Sequence, residues 1–170
     1  MCAGVDGRRP QTILELGAGT GAVTSMILRR MHPDSRLFSV EIDPEMAAIV
    51  EQRCPRATVL RADASTLRDR LGELGIDRVD QFINCLPTPS LPKATNRAVL
   101  ECWRDFADGC AFTQLTVMPW VYLRTYQRVF EQVRFRLVPL NLPPAGVYHC
   151  HKLRTDYADP VRLPGPAEAA

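Results

Sequence analysis

A glycine-rich loop near the start of the chain contains the residues best suited to binding chemistry. An apolar run over residues 13–16 (Ile-Leu-Glu-Leu) leads into three glycines at alternate positions, Gly17, Gly19 and Gly21. Glycine has no side chain, so backbone N–H groups can approach a ligand closely, and it tolerates positive φ angles. A helix that begins directly after the loop adds the partial positive charge of its N-terminus. The segment therefore predicts the first strand, loop and helix of a nucleotide-binding α/β fold.

Two classes of nucleotide ligand fit this loop. Gly17, Gly19 and Ala22 satisfy the G-x-G-x-x-G/A pattern of dinucleotide-binding enzymes, so an NAD-dependent enzyme is one alternative. The acid at Glu15 and the third glycine at Gly21 favour S-adenosylmethionine, whose methionine ammonium group could meet the Glu15 carboxylate. The pattern Glu-x-Gly-x-Gly-x-Gly resembles the first motif of class I S-adenosylmethionine-dependent methyltransferases. The resemblance implies that the following loop residues bind this cofactor: Glu15, Gly17, Ala18, Gly19 and Gly21.

Strand and helix signals alternate along the rest of the chain. They predict strands over residues 12–16, 36–41, 58–61, 79–84 and 111–117. The predicted helices cover residues 22–31, 44–53, a segment from about Ser65, 93–107 and 121–130. Two further strands, 135–140 and 147–152, have a short connection that favours an antiparallel pair.

This order of elements resembles the doubly wound, Rossmann-like seven-stranded sheet of class I methyltransferases, mostly parallel with a C-terminal antiparallel hairpin. The spatial order of the strands is implied by the resemblance alone. We expect one α/β domain over residues 1–154 and a loose tail over 155–170. The family usually has a helix before the first strand, whereas only eleven residues precede Thr12. A fragment, a displaced start and a shortened family member are the alternatives.

An acid ends the second predicted strand. Glu41 lies twenty residues after Gly21, where doubly wound folds use an acid to accept hydrogen bonds from ribose hydroxyls. A solvated acid at the end of a strand is the alternative for Glu41. Ile42 belongs to the same predicted cofactor-binding segment. Asp43 precedes Pro44 and predicts a helix N-cap instead.

A second acid, Asp63, follows the third predicted strand. The family places an acid there against the adenine amino group, which implies this role for Asp63. Ala62 would lie against the adenine face, and Ala64 is included in the predicted cofactor site. A cap for the next helix is the alternative for Asp63.

The loop after the fourth predicted strand reads Asn84-Cys85-Leu86-Pro87 and lies at the carboxyl edge, where such folds bind ligands. Amino-methyltransferases have Asn/Asp-Pro-Pro-aromatic at this place, and its polar side chain and a loop carbonyl hold the acceptor nitrogen. The resemblance implies these roles for Asn84 and the Cys85 carbonyl, with the four loop residues as the catalytic segment and Asn84 also near the cofactor. Thr88 replaces the aromatic residue, which favours an aliphatic amine over a nucleobase. A simple turn residue is the alternative for Asn84.

A more specific resemblance is to the bacterial phospholipid N-methyltransferases, which convert phosphatidylethanolamine towards phosphatidylcholine. The residues that carry it are the Leu-Pro pair at 86–87, Gln-Leu-Thr at 114–116, and Asn-Leu-Pro-Pro-Ala at 141–145 before Val147 and Tyr148. The resemblance implies an amine acceptor, a phospholipid at a membrane surface. It also implies a cytoplasmic protein that is peripheral on the inner face of the membrane.

Basic and aromatic residues near the C-terminal hairpin are candidates for binding such a headgroup. Arg124 and Arg128 are one helical turn apart, and Arg134 and Arg136 share a strand face. Arginine pairs well with a phosphodiester, although solvated arginines are the alternative. Tyr148 completes the predicted substrate set.

Composition limits the other classes of partner. The net charge of +2 does not favour nucleic acid. No apolar run is long enough to cross a membrane. The six cysteines lack C-x-x-C spacing and fit a reducing cytoplasm. His149 and His151 alternate with Cys150 along a strand, so we expect no metal site there.

Beside the NAD-dependent enzyme, three further alternative functions stay open at this point, as does the oligomeric state. One is methylation of rRNA adenine, because Val40-Glu-Ile-Asp43 and Asn84 also resemble rRNA adenine dimethyltransferases. Another is methylation of a protein or a small-molecule amine. The third is a module that binds S-adenosylmethionine without catalysis.

Overall fold

The computed structural model describes residues 1–87, 91–106, 109–117, 123–140 and 144–154. The strands are β1 (Thr12–Leu16), β2 (Arg36–Glu41), β3 (Thr58–Arg61), β4 (Gln81–Asn84), β5 (Ala111–Thr116), β6 (Phe130–Val138) and β7 (Ala145–Leu153). The helices are α1 (Ala22–Leu28), α2 (Pro44–Arg53), α3 (Leu67–Glu73), α4 (Lys93–Asp105) and α5 (Leu123–Val129), with 3₁₀ turns at Cys2–Gly4 and Ala64–Thr66.

The seven strands form one sheet in the order β3-β2-β1-β4-β5-β7-β6. Strands β1 to β5 pair in parallel, and β7 runs antiparallel to both β5 and β6. This confirms the predicted α/β class and its C-terminal antiparallel pair. The strand order reverses between β1 and β4, and a crevice forms at such a reversal, outside the carboxyl ends of the strands.

Side chains alternate along β1 and fill two cores on opposite faces of the sheet. Leu14 and Leu16 belong to the larger core, which α3, α4 and α5 cover. Ile13 points the other way and packs with Ile27 of α1. Burial on both faces explains why β1 is almost continuously apolar, as expected for a parallel central strand. It also makes Glu15, fully buried in the same strand, an exception that needs a reason.

An aromatic cluster joins α4 to the C-terminal strands. The Trp103 ring centroid lies 4.8 Å from that of Phe130 and 5.6 Å from that of Phe112. Trp103 is buried with Val99 and Cys102, whereas Ala94 in the first turn of α4 is exposed. The first turn of α4 therefore lies beyond the core.

The structure confirms the elements predicted around α2. The bounds of β1, β2, α2 and β3 coincide with the predicted ones. Asp43 is the N-cap of α2, since its Oδ1 accepts hydrogen bonds from the N–H groups of Glu45 (2.8 Å) and Met46 (3.2 Å).

Several other bounds differ from the prediction. Helix α1 ends at Leu28, three residues early, because the next two residues form a tight turn: the N–H groups of Arg30 and Met31 both donate to the Ile27 carbonyl. Ser65 lies in a 3₁₀ turn, and α3 begins at Leu67. Strand β4 begins at Gln81, two residues later than predicted, and β5 ends one residue early.

The largest error concerns β6, which begins at Phe130 rather than at Phe135. Residues 130–134 pair with β7, and the buried Phe130 ring joins the aromatic cluster, so the predicted last residue of α5 is in the strand. The predicted tail over 155–170 and the motif residues 141–143 lie outside the described residues.

Candidate active site

The glycine loop after β1 packs closely against the loop after β4. Gly17 has a φ of +74°, and a Cβ at this position would lie 2.9 Å from Leu86 Cδ2 and 3.3 Å from the Leu86 nitrogen. The N–H groups of Gly17 and Ala18 donate to the Val40 carbonyl at 2.9 and 3.2 Å. Gly19 also has a positive φ (+54°), but a Cβ there would meet no atom within 4 Å. The loop is therefore anchored at Gly17 and open at Gly19.

Glu41 connects the end of β2 to this loop. Its Oε2 accepts a hydrogen bond from the Gly19 N–H at 2.7 Å, and its Oε1 accepts from the N–H groups of Ile42 and Asp43 at 2.9 and 3.0 Å. Three backbone donors thus hold the carboxylate at the point where β2 meets the glycine loop. Glu41 is therefore held by the backbone of the site and is not simply a solvated acid at the end of a strand.

A cleft of about 470 Å³ opens over the carboxyl ends of the strands. This volume suits a small-molecule ligand or cofactor. The residues of the predicted site that line it are Gly17, Gly19, Glu41, Ile42, Ala62, Asp63, Ala64, Cys85, Leu86 and Pro87. Val40 and the start of α4 (Leu91, Pro92 and Thr95) complete the described lining and were not predicted from the sequence. The only sequence signal for the three residues at the start of α4 is that α4 directly follows the β4 loop, at the edge of the sheet where the cleft lies.

Asp63 lines the cleft and also caps the 3₁₀ turn that follows it. Its Oδ1 accepts a hydrogen bond from the Ser65 N–H at 2.7 Å, and this bond holds the pKa of Asp63 below its usual range. The helix-cap alternative is therefore correct for Asp63. A contact with adenine stays a prediction, and Ala62 and Ala64 on either side place small apolar groups at the same end of the cleft.

Glu15 lies behind the glycine loop and is fully buried. Its Oε2 accepts hydrogen bonds from Thr24 Oγ and Ser39 Oγ, both at 2.7 Å. Its Oε1 has no hydrogen-bond partner among the described residues. Burial raises the pKa of Glu15, while these two hydroxyl donors act in the opposite direction. A buried carboxylate oxygen without a donor is rare in native proteins, and a cationic ligand group would supply one.

Ala18 and Gly21 shape the loop and are not part of the described lining. Ala18 is buried against Val50 and Cys54. Gly21 has a φ of +82° at the N-cap of α1, and its N–H donates to the Ala18 carbonyl at 2.9 Å. Their predicted direct contact with the cofactor is untested, and their visible role is to hold the loop backbone.

Asn84 is buried at the base of the β4 loop and organises its turn. Its Nδ2 donates to Gln114 Oε1 at 2.7 Å, and its Oδ1 accepts from the Leu86 N–H at 3.2 Å. Gln114 Nε2 in turn donates to the Leu86 carbonyl at 3.3 Å, and Tyr126 Oη donates to Gln114 Oε1 at 3.3 Å. Asn84 therefore forms the turn that the alternative predicted. The role of Gln114 as its partner was not predicted, although Gln114 was part of the phospholipid-enzyme resemblance.

Cys85 follows Asn84 and lines the cleft. Desolvation raises the pKa of its thiol, and the nearby Glu15 carboxylate adds to the effect. The thiol is therefore protonated at neutral pH.

The predicted substrate residues are not part of the described lining of the cleft. Tyr148 has no exposed surface; it packs 4.9 Å from Tyr126 and 5.1 Å from Phe135 between ring centroids, and burial raises its pKa to about 12. Arg124 and Arg128 are exposed on α5, which leads from the carboxyl edge back to the opposite edge of the sheet. Tyr148 is thus a core residue, because its position on β7 turns the ring towards α5.

The residues present fit S-adenosylmethionine. Glycine N–H groups and an open Gly19 suit a close backbone approach, Glu41 offers acceptors beside the loop, and the orphaned Glu15 oxygen suits an ammonium group. No group of three His, Cys, Asp or Glu side chains that could hold a metal occurs among the described residues. No helix in the described part of the chain is long and apolar enough to cross a membrane.

The methyltransferase domain family matches residues 13–102 of the chain. An ornithine lipid N-methyltransferase from Singulisphaera acidiphila is 39% identical over 151 residues, which cover 86% of this chain and 79% of that protein. A ribosomal RNA small subunit methyltransferase H from Acinetobacter baumannii is 29% identical over 81 residues, covering 45% of this chain and 26% of that protein.

Solved structures agree on the fold. Aeropyrum pernix fibrillarin with natively bound S-adenosyl-L-methionine aligns with a TM-score of 0.62 at 18% identity, over 85% of this chain and 67% of that chain. The chain therefore belongs to the S-adenosylmethionine-dependent methyltransferases, as its glycine motif predicted. Its cofactor is S-adenosylmethionine. Over most of its length it is similar to an enzyme that methylates nitrogen in an ornithine lipid.

The contact between the two loops gives a matched pair of substitutions. We expect Gly17→Ala to lower the free energy of unfolding by about 3 kcal/mol, because positive-φ strain adds to a clash with Leu86. Gly19→Ala should lower it by only about 1–2 kcal/mol, since strain acts there without a clash. Urea denaturation measures both values. Equal losses in the two variants would contradict the importance of the Gly17–Leu86 contact.

Glu15 gives a pH-dependent prediction. Because burial raises its folded-state pKa, its contribution to stability is complete below its unfolded pKa of about 4.5 and is lost as pH rises through the folded value. Glu15→Gln removes this titration. The free energy of unfolding of the variant, minus that of the wild type, should therefore grow as pH rises from acidic to neutral. A difference that is constant with pH in urea denaturation would show that Glu15 is not perturbed.

Proposed function

We propose that this enzyme methylates the primary or partly methylated amine of a lipid headgroup, of the phosphatidylethanolamine type. The observation that carries the proposal is the 39% identity to an ornithine lipid N-methyltransferase over 86% of the chain. The β4 loop adds support, because the described lining of the cleft contains no aromatic side chain that would stack on a nucleobase. The choice of phosphatidylethanolamine as the acceptor rests on the resemblance in sequence to the phospholipid N-methyltransferases. An ornithine lipid is the second candidate acceptor.

In this proposal the chain's own residues orient the reactants. S-adenosylmethionine supplies an already activated methyl group, so the protein contributes mainly orientation and a dry cleft. Glu41 accepts hydrogen bonds from the ribose hydroxyls, Asp63 binds the adenine amino group, and Glu15 pairs with the methionine ammonium. These three assignments are supported by the carboxylates of Glu41, Asp63 and Glu15, each of which can accept a further hydrogen bond from the cofactor.

The β4 loop orients the acceptor amine in this proposal. The Cys85 carbonyl and the second lone pair of Asn84 Oδ1 accept its N–H groups, and Gln114 keeps the Asn84 amide from rotating. An ammonium ion has no lone pair, so the amine loses its proton to water before it attacks. Gln114 acts through Asn84 and is a positioning residue.

Substitution of Glu41 tests the cofactor assignment. We expect Glu41→Ala to raise the Kd for S-adenosylmethionine at least tenfold, because charge-assisted hydrogen bonds contribute about 1.5–3 kcal/mol each. Glu45→Ala, an exposed acid on α2, is the matched control and should change the Kd less than about twofold. Calorimetric titration measures both. The Glu41 variant should also bind a 2′-deoxy analogue as well as the parent cofactor, and continued discrimination would contradict a ribose contact.

Transfer of a labelled methyl group tests the function itself. The enzyme is supplied with labelled S-adenosylmethionine, phosphatidylethanolamine vesicles, ornithine lipid vesicles and total RNA, separately and together. Label should enter the organic phase only when lipid is present. Asn84→Ala should lower kcat at least tenfold, a larger factor than any rise in the cofactor Kd, because the variant no longer orients the acceptor. Label only in RNA, or cofactor binding without transfer to any acceptor, would contradict the proposal.

A further inference from the structure

Exposed apolar side chains gather at the end of the C-terminal hairpin. Leu140 is 99% exposed, Val117 54%, Leu137 49% and Val138 39%. We call these four residues the apolar rim. Single exposed apolar residues are common on protein surfaces, but a group of them marks an interaction site. Phe135, also partly exposed, continues the group along β6.

Strand register places the apolar rim at the same edge of the sheet as the cleft. Leu137 pairs with Gly146 of β7, and Gly146 pairs with Thr116, the last residue of β5. Strand β5 is parallel to β4, so its last residue lies at the edge where the Asn84 loop begins. The apolar rim therefore lies at the same edge of the sheet as the cleft, three strands along from β4. Ile42, 64% exposed, is a further apolar residue at this edge and lines the cleft.

Positive charge accompanies the apolar rim. Arg134 and Arg136 are exposed on β6, where they alternate with Phe135 and Leu137. Neither forms an ion pair with a described side chain. The acid of the same strand, Glu131, lies at its other end and pairs with Lys152 at 3.8 Å. Alternation along the strand sends Arg134 and Arg136 to one face and Phe135 and Leu137 to the other, so the arginines and the apolar side chains flank the same free edge from opposite faces. Apolar side chains together with unpaired arginines at one edge are the combination that binds an anionic lipid surface.

We propose that the apolar rim, with Arg134 and Arg136, is a docking surface for an anionic lipid bilayer. Docked in this way, the enzyme holds the opening of its cleft against the headgroup layer, so a lipid amine can enter while its acyl chains stay in the membrane. The proposal deepens the proposed function and rests on a lipid acceptor.

A second copy of the chain is a poorer occupant of this surface. Strand β6 is an edge strand, so its free backbone groups could pair with the β6 of another copy. Antiparallel pairing of two identical strands would bring Arg134 and Arg136 of one copy close to the same arginines of the other. Like charges opposite each other destabilise such a pair, whereas anionic lipid headgroups attract them.

Vesicle co-sedimentation tests the docking surface with two double variants. The probes are phosphatidylcholine vesicles with and without phosphatidylglycerol. Arg134→Gln/Arg136→Gln should weaken binding to the anionic vesicles about 25-fold, since one basic residue near the surface contributes about fivefold. Leu137→Ser/Leu140→Ser should weaken binding to both kinds of vesicle at least tenfold, because it removes the inserted apolar area.

Matched controls come from exposed residues at the opposite edge of the sheet. Arg29→Gln/Arg104→Gln removes two exposed arginines from the ends of α1 and α4, and Leu74→Ser removes an exposed leucine after α3. These controls should change vesicle binding less than about twofold. An unchanged Kd for S-adenosylmethionine shows that each variant is folded. If both rim variants bind vesicles as tightly as the wild type does, the proposed docking surface is wrong.

Activity on a soluble acceptor separates this proposal from the proposed function. With a short-chain phosphatidylethanolamine below its micelle concentration, the rim variants should methylate as fast as the wild type, while transfer to vesicles falls in parallel with binding. Loss of the soluble activity would overturn the docking role, as would a dimer in solution that the rim substitutions dissociate. If vesicle binding falls as expected but no lipid is ever methylated, the docking surface stands and the proposed lipid acceptor fails.

Discussion

The approach of Gly17 to Leu86 is the contact on which the rest of the site depends. It joins the loop after β1 to the loop after β4, across the point where the strand order reverses. A Cβ at Gly17 would lie 3.3 Å from the Leu86 nitrogen, so the absence of a side chain lets the two loops pack closely over the carboxyl ends of the strands. The Glu41 carboxylate then fixes the open side of the glycine loop through Gly19, and Asn84 fixes the turn on the other side. One close backbone contact thus organises both halves of the cleft.

Local signals were sufficient for the first half of the fold. The bounds of β2 and α2 follow from an apolar run that ends in an acid and from an N-cap followed by proline, which act within a few residues. The start of β6 could not be predicted in this way, because it depends on pairing with β7 and on the fit of Phe130 beside Trp103. The pairing and the ring contact both join residues that are far apart in the chain. The local sequence at the start of β6 is equally compatible with a helix.

In the candidate site, too, some residues could be predicted from the local sequence and others depend on contacts between distant parts of the chain. Glu41 and Asp63 were predictable because acids at the carboxyl ends of parallel strands meet at one edge, whatever the details of packing. Tyr148 shows the limit of a motif match, which does not reveal towards which side of β7 the ring points; the structure buries the ring, and its predicted role in binding substrate stays untested. The pairing of Asn84 with Gln114 was also hidden, since it joins side chains on two neighbouring strands whose adjacency only the sheet order reveals.

The protonated thiol of Cys85 has a consequence for selectivity. A sulfonium methyl donor is an electrophile, and a thiolate among the residues that line the cleft would compete with the intended acceptor and become methylated itself. Nucleophilic reactivity belongs to the thiolate, and desolvation together with the negative charge of Glu15 raises the thiol pKa and suppresses that form. Burial of Cys85, with the buried acid beside it as a smaller cause, therefore disfavours transfer of the methyl group to the protein's own thiol.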